Sequence, residues 1–172
     1  MKLTKKAHSV FSFSKLFILL LVCLVAFVSC KKDDENPDEG TELEGGSMSA
    51  KVDGQPFEAT LAVQATVSGN VFAVAGTANS SSAVRQININ IADYQGTGTY
   101  NFSTVGSTAI WSEGTSADKI FTANFILGSG QVTITEVTSD RIKGTFEFTG
   151  SNAGGGGSET RTITEGKFNV KI

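Results

Sequence analysis

The stretch Ile87-Asn88-Ile89-Asn90-Ile91 decides the fold. Three isoleucines alternate with two asparagines, so in an extended chain the isoleucines face one side and the asparagines the other. One face is buried and the other is wet, the pattern of an antiparallel sheet that packs on a core through one side. Similar alternation runs along the chain on either side of this stretch. Strands are expected near residues 48–53, 57–67, 71–78, 85–92, 99–103, 108–111, 120–127, 131–137, 141–149 and 160–172. Turn residues separate them: Asp53-Gly54 with Pro56, Ser68-Gly69-Asn70, residues 79–82 and 95–98, Gly128-Ser129-Gly130, Ser139-Asp140, and residues 152–157. No window of this region carries a sustained apolar stripe at helical period.

The short connections leave no room for the crossovers that parallel strands need. The expectation is an all-β domain, an antiparallel meander of about ten strands that closes into a barrel-like, lipocalin- or calycin-like form, with a two-sheet β-sandwich as the alternative. Eight phenylalanines, at 57, 72, 102, 121, 125, 146, 148 and 168, are the expected core, together with the valines and isoleucines. A domain of this size can bury such a core without disulfides or metal. A short similarity runs through it: Gly98-Thr99-Tyr100-Asn101-Phe102 matches Gly144-Thr145-Phe146-Glu147-Phe148, and Gly166-Lys167-Phe168-Asn169-Val170 is a looser copy. We read these as glycines that open strands whose aromatic residues enter the core.

The chain ahead of this domain has a different character. Lys2, Lys5, Lys6 and Lys15 precede an apolar run from Leu16 to Val28. Thirteen helical residues reach only about 20 Å, against roughly 30 Å of bilayer hydrocarbon. Residues 1–29 therefore read as an export signal, not a permanent span. From Lys31 to Gly46 there is charge, Pro37 and glycine without apolar periodicity, so residues 30–46 read as an acidic tether and 47–172 as a single β-domain.

Removal of the signal changes the chemistry available. His8 and Cys23 leave with it, so that the remaining chain holds a single cysteine, Cys30, and no histidine. Intramolecular disulfides, His/Cys zinc sites and Ser-His or Cys-His nucleophiles are then excluded, and no metal or cofactor is expected. Ten basic and seventeen acidic residues remain, and the β-domain itself is close to neutral. That balance lacks the basic stripe that nucleic acid requires.

Phe27-Val28-Ser29-Cys30 resembles the lipobox of bacterial lipoproteins, in which the cysteine thiol takes a diacylglyceryl group and the new N-terminus is acylated. Phe27 stands where leucine is more usual, a substitution that Bacteroidota lipoproteins tolerate. The run Lys31-Lys32-Asp33-Asp34-Glu35 is similar to the acid-rich export signal of surface-displayed Bacteroidota lipoproteins. Together with the C-terminal pattern "IKGTFEFTGSN…TRTITEGKFNV", it resembles small Bacteroidota lipoproteins whose β-rich domain has no assigned function. The resemblance implies an outer-membrane lipoprotein held through Cys30 and facing the cell exterior, with the periplasmic face as the alternative. Several acyl chains hold a protein stably where one binds only marginally.

Acid/base chemistry falls to carboxylates alone: Asp93, Glu113, Asp118, Glu136, Glu147 and Glu165 stand at polar strand positions or in turns, where solvated surface charge is the default. The glycine pairs at 96 and 98 and at 128 and 130 precede strands, not helices, and so lack the helix N-terminus of a phosphate loop. Trp111, Tyr94 and Tyr100 are the candidate ligand contacts, if they gather at one rim. The leading expectation is a non-enzymatic module that binds an extracellular ligand or an envelope protein. A lipocalin-like carrier is the alternative and needs a cavity lined by small residues such as Ala73, Ala75 and Gly76. A carbohydrate-acting enzyme needs two carboxylates facing across a cleft.

Overall fold

The computed structural model describes residues 44–152 and 159–172. These form one antiparallel sheet curled into a half-barrel. Its strands are β1 (Gly46–Val52), β2 (Gln55–Glu58), β3 (Ala62–Ser68), β4 (Val71–Asn79), β5 (Val84–Ile91), β6 (Gly98–Asn101), β7 (Thr108–Glu113), β8 (Ile120–Ala123), β9 (Ser129–Val137), β10 (Arg141–Ser151) and β11 (Thr160–Lys171). One 3₁₀ turn, Ala117–Lys119, precedes β8. The all-β, antiparallel, barrel-like expectation therefore holds, as one sheet and not two.

Turn chemistry sets the hairpins. Asp53 and Gly54 both have positive φ, 49° and 80°, and join β1 to β2 as a two-residue loop with the handedness that matches strand twist. Gly69, at φ 59°, with Asn70 does the same between β3 and β4.

The topology is more than a meander. The order is β2-β1-β11-β10-β8-β7-β5-β4-β3, and β9 also pairs with β10 while β6 pairs with β9. The last strand thus lies between β1 and β10. Two expected strands were too long. The stretch 57–67 breaks at Ala59–Leu61, where the N–H of Ala59 donates to Met48 O and those of Thr60 and Leu61 both donate to Thr77 O. The chain there leaves β1 and joins β4. The stretch 120–127 ends at Ala123, because Asn124 Oδ1 accepts the N–H groups of Ile126 and Leu127 and folds the chain into a tight turn. Phe125 is therefore on the surface, 54% exposed; the other seven expected phenylalanines are buried.

The core is a run of aromatic rings. Tyr100 meets Tyr94, Tyr94 meets Phe72, Phe72 meets Phe168, Phe168 meets Phe146, Phe146 meets Phe148, and Phe148 meets Phe102, with centroids 5.4 to 6.5 Å apart. Those separations are the favourable range for offset and edge contacts. The Gly-x-Phe similarity has a structural cause. β10 and β11 run antiparallel, so Gly144 pairs with Phe168 and Gly166 with Phe146. Each ring lies over the other strand's glycine: a Cβ on Gly144 would sit 2.6 Å from the Phe168 ring, and one on Gly166 would overlap Phe146. The copy that opens at Gly98, in β6, pairs with β9 and takes no part in this exchange.

Candidate functional site

Period-two alternation gives β4 two unlike faces. Phe72, Val74, Gly76 and Ala78 enter the core, while Val71, Ala73, Ala75 and Thr77 face outward. The register then lines up outward side chains across neighbouring strands. Gln64, Ala75, Asn88 and Ile110 make one row, and Thr66, Ala73, Asn90 and Thr108 the next. Opposed side chains in such rows lie about 5 Å apart, so each alanine is a low point between polar walls. The result is a groove of about 820 Å³ over β3, β4 and β5, with Leu61, Glu44 and Lys171 at its margins. Its volume falls in the range of ligand-binding clefts. Residues 59–84, which supply β3 and β4, contain no charged side chain.

One margin of the groove is the edge of the sheet, since among the described residues β3 pairs only with β4. Near Val63 the edge closes on the start of β1, where an added Cβ on Gly45 would overlap the Val63 carbonyl oxygen. Beyond that point it opens. Ala65 and Val67 stand opposite the core residues Val74 and Phe72, yet Val67 is 40% exposed.

The aromatic candidates divide. Tyr94 and Tyr100 come together, 6.0 Å apart, at the rim formed by residues 92–98. The Tyr100 hydroxyl donates to Gly96 O at 2.8 Å and accepts from the Gln95 N–H at 3.0 Å. The Tyr94 hydroxyl is buried with no hydrogen-bond partner, and burial, with Tyr100 beside it, pushes its pKa up. Trp111 is elsewhere. It is 1% exposed, edge-on to Phe57 at 5.3 Å, and donates from Nε1 to Glu113 Oε1. It is a core residue and does not join the two tyrosines.

Nor do the small residues line an interior cavity. Ala73 and Ala75 floor the outer groove, and the space above Gly76 is taken by the Met48 side chain, whose Sδ would lie 2.5 Å from an added Cβ. Among the carboxylates, Glu147 and Glu165 reach a common shallow groove of about 350 Å³ over β9, β10 and β11. Glu165 is ion-paired with Lys51 at 2.8 Å, its side chain 65% exposed, and Glu147 accepts from Gln131. Both residues are exposed on the outer face of the sheet. Among the described residues no three of His, Cys, Asp and Glu gather in a metal-holding group. Cys30, Lys31, Lys32, Asp33, Asp34 and Glu35 lie outside the described residues.

Sequence reasoning missed the groove because its parts are ordinary one at a time. Asn88 and Asn90 are simply the wet half of the opening pattern, and Gln64 and Thr66 lie on another strand. The alanines flanked by amides across three strands become a site only once the register is known.

No curated protein and no solved structure matches the chain. Residues 44–170, which span β1 to β10 and nearly all of β11, match the family described as Domain of unknown function (DUF6252), and the chain belongs to that family.

Proposed function

We propose that this protein is a lipoprotein held to the outer membrane through Cys30 and facing the cell exterior, whose β-domain is a non-enzymatic binding module. The observation that carries the binding role is the groove over β3–β5, with its alanine floor and its walls of Gln64, Thr66, Asn88 and Asn90. The lipobox-like Phe27-Val28-Ser29-Cys30 and the acid-rich Lys31–Glu35 run support the anchor and its outward display. A carrier of apolar ligands is disfavoured, because the ring-on-ring core occupies the interior that such a ligand would need. The partner, whether an extracellular ligand or an envelope protein, meets the outer face.

Three measurements test this reading. Palmitate should label the protein and fail to label Cys30→Ala; labelling that survives the substitution contradicts the anchor. Protease added to intact cells should degrade the domain, and resistance would place it on the periplasmic side. A photo-crosslinking amino acid at Ala73 should give an adduct in living cells, while the same group at Thr145, outward on β10, should not. Adducts confined to Thr145 would move the site away from the groove.

A further inference from the structure

We propose that the open edge of β3 is a strand-addition site, which takes an extended, uncharged segment of a partner polypeptide alongside Ala65–Ser68; this rests on the reading of the outer groove as the binding surface. The two-residue turn at Gly69-Asn70 closes on the pair Ser68–Val71, a hydrogen-bonded pair in hairpins of this length. Alternation then directs the N–H and C=O of Gln64 and Thr66 toward β4. Those of Val63, Ala65 and Val67 point away from the sheet. The Val63 carbonyl does face Gly45, on the side away from β4, as this alternation requires.

Beyond Val63 the sequence of this edge carries none of the usual protections. Natural edge strands are shortened, charged, bulged or broken by proline. β3 has seven residues, an unbroken register with β4, and no charge or proline. Its inward side is thinly covered among the described residues: Ala65 is only partly buried against the core and Val67 is 40% exposed. An added strand would place alternate side chains over those two residues and the others beside Gln64 and Thr66, extending the rows that make the groove.

The character of the surroundings selects the occupant. The stretch 59–84 carries no charge, and the two charged residues lining the groove, Glu44 and Lys171, are opposite in sign, so a segment without net charge fits. A second copy of this chain is a poorer fit. With Gly45 against Val63, only the four residues Ala65–Ser68 remain, and two curved sheets touching along so short an edge fall well below the roughly 1,200 Å² of a stable interface. A separate segment can also spread over the groove.

The probe is an end-capped, fluorescein-labelled peptide of alternating valine and threonine with a lysine at each end, added to the whole protein purified in detergent. Saturable binding should protect the Ala65 and Val67 amides from hydrogen exchange. A version N-methylated at alternate residues should bind at least tenfold more weakly, as should Ala65→Pro, which caps the edge as proline does in natural edges. Thr66→Lys, which leaves the backbone intact, should also weaken binding, so the result does not hang on whether Ala65→Pro folds. Binding that is absent at millimolar peptide, or equal for the N-methylated form, overturns strand addition. Amides already protected in a protein that sediments as a dimer overturn it in favour of a second copy. If the Ala73 crosslink persists while the peptide fails, the groove survives as a binding surface and only the mode of binding falls.

Discussion

Two edges of the sheet, β2 and β3, are built differently. β2 is four residues long, carries Pro56, which has no N–H to offer, and ends in Glu58. β3 is nearly twice as long, uncharged, and continuous with a groove floored by alanine. An exposed edge of that kind invites aggregation unless it is protected. Protection of one edge and not the other points to a use for the second. The interior follows the same asymmetry: beside β11 the rings of Phe146 and Phe168 are sealed over glycines, whereas beside β3 Val67 is left half-covered.

This contrast can be broken at several points. Phe168→Ala removes a ring that touches both Phe72 and Phe146 and should cost about 3–5 kcal/mol in denaturant unfolding. Gly166→Ala pushes a methyl into Phe146 and should cost about 1–3 kcal/mol. By comparison Thr66→Lys, on the exposed face of β3, should shift stability by no more than about 0.5 kcal/mol while blocking the edge. A cost as large as that of Gly166→Ala would mean that β3 is part of the sealed core and no docking edge. The double substitution Pro56→Thr, Glu58→Thr strips β2 of its protection, and sedimentation should then show stronger concentration-dependent self-association than that of the natural chain.

The smallest expected effect is at the rim. The Tyr94 hydroxyl is buried without a partner, so Tyr94→Phe should leave stability near neutral pH unchanged or slightly raised. Its pKa is raised in the folded protein, so its contribution to stability is full below about pH 10, the unfolded value, and is lost as pH rises through the folded value. Tyr94→Phe should therefore lessen alkaline unfolding; an unchanged alkaline limb would show that this hydroxyl is solvated.

Much of the fold was legible because the signals are local. Alternation in Ile87–Ile91 marks a strand wherever it pairs, and Asp53-Gly54 encodes its hairpin in two residues. Phe125 was misjudged because a phenylalanine at core spacing says nothing of the Asn124 side chain that turns the chain out of the sheet. The place of β11 between β1 and β10 depends on pairing between distant strands, which periodicity does not record. Ala73, Ala75 and Gly76 looked like one cluster of small residues, but neighbours in a strand face opposite ways, and an alanine carries no mark of which face it takes. The glycine–phenylalanine exchange was visible as a repeat, and only the antiparallel register of β10 and β11 explains it.

The most direct test is residue-resolved hydrogen exchange on the protein without any added peptide. Slow exchange is expected for the Gln64 and Thr66 amides, which bond to β4, and fast exchange for those of Ala65 and Val67, which point away from it. Equal protection along all four residues would contradict it, because the edge would then already be covered.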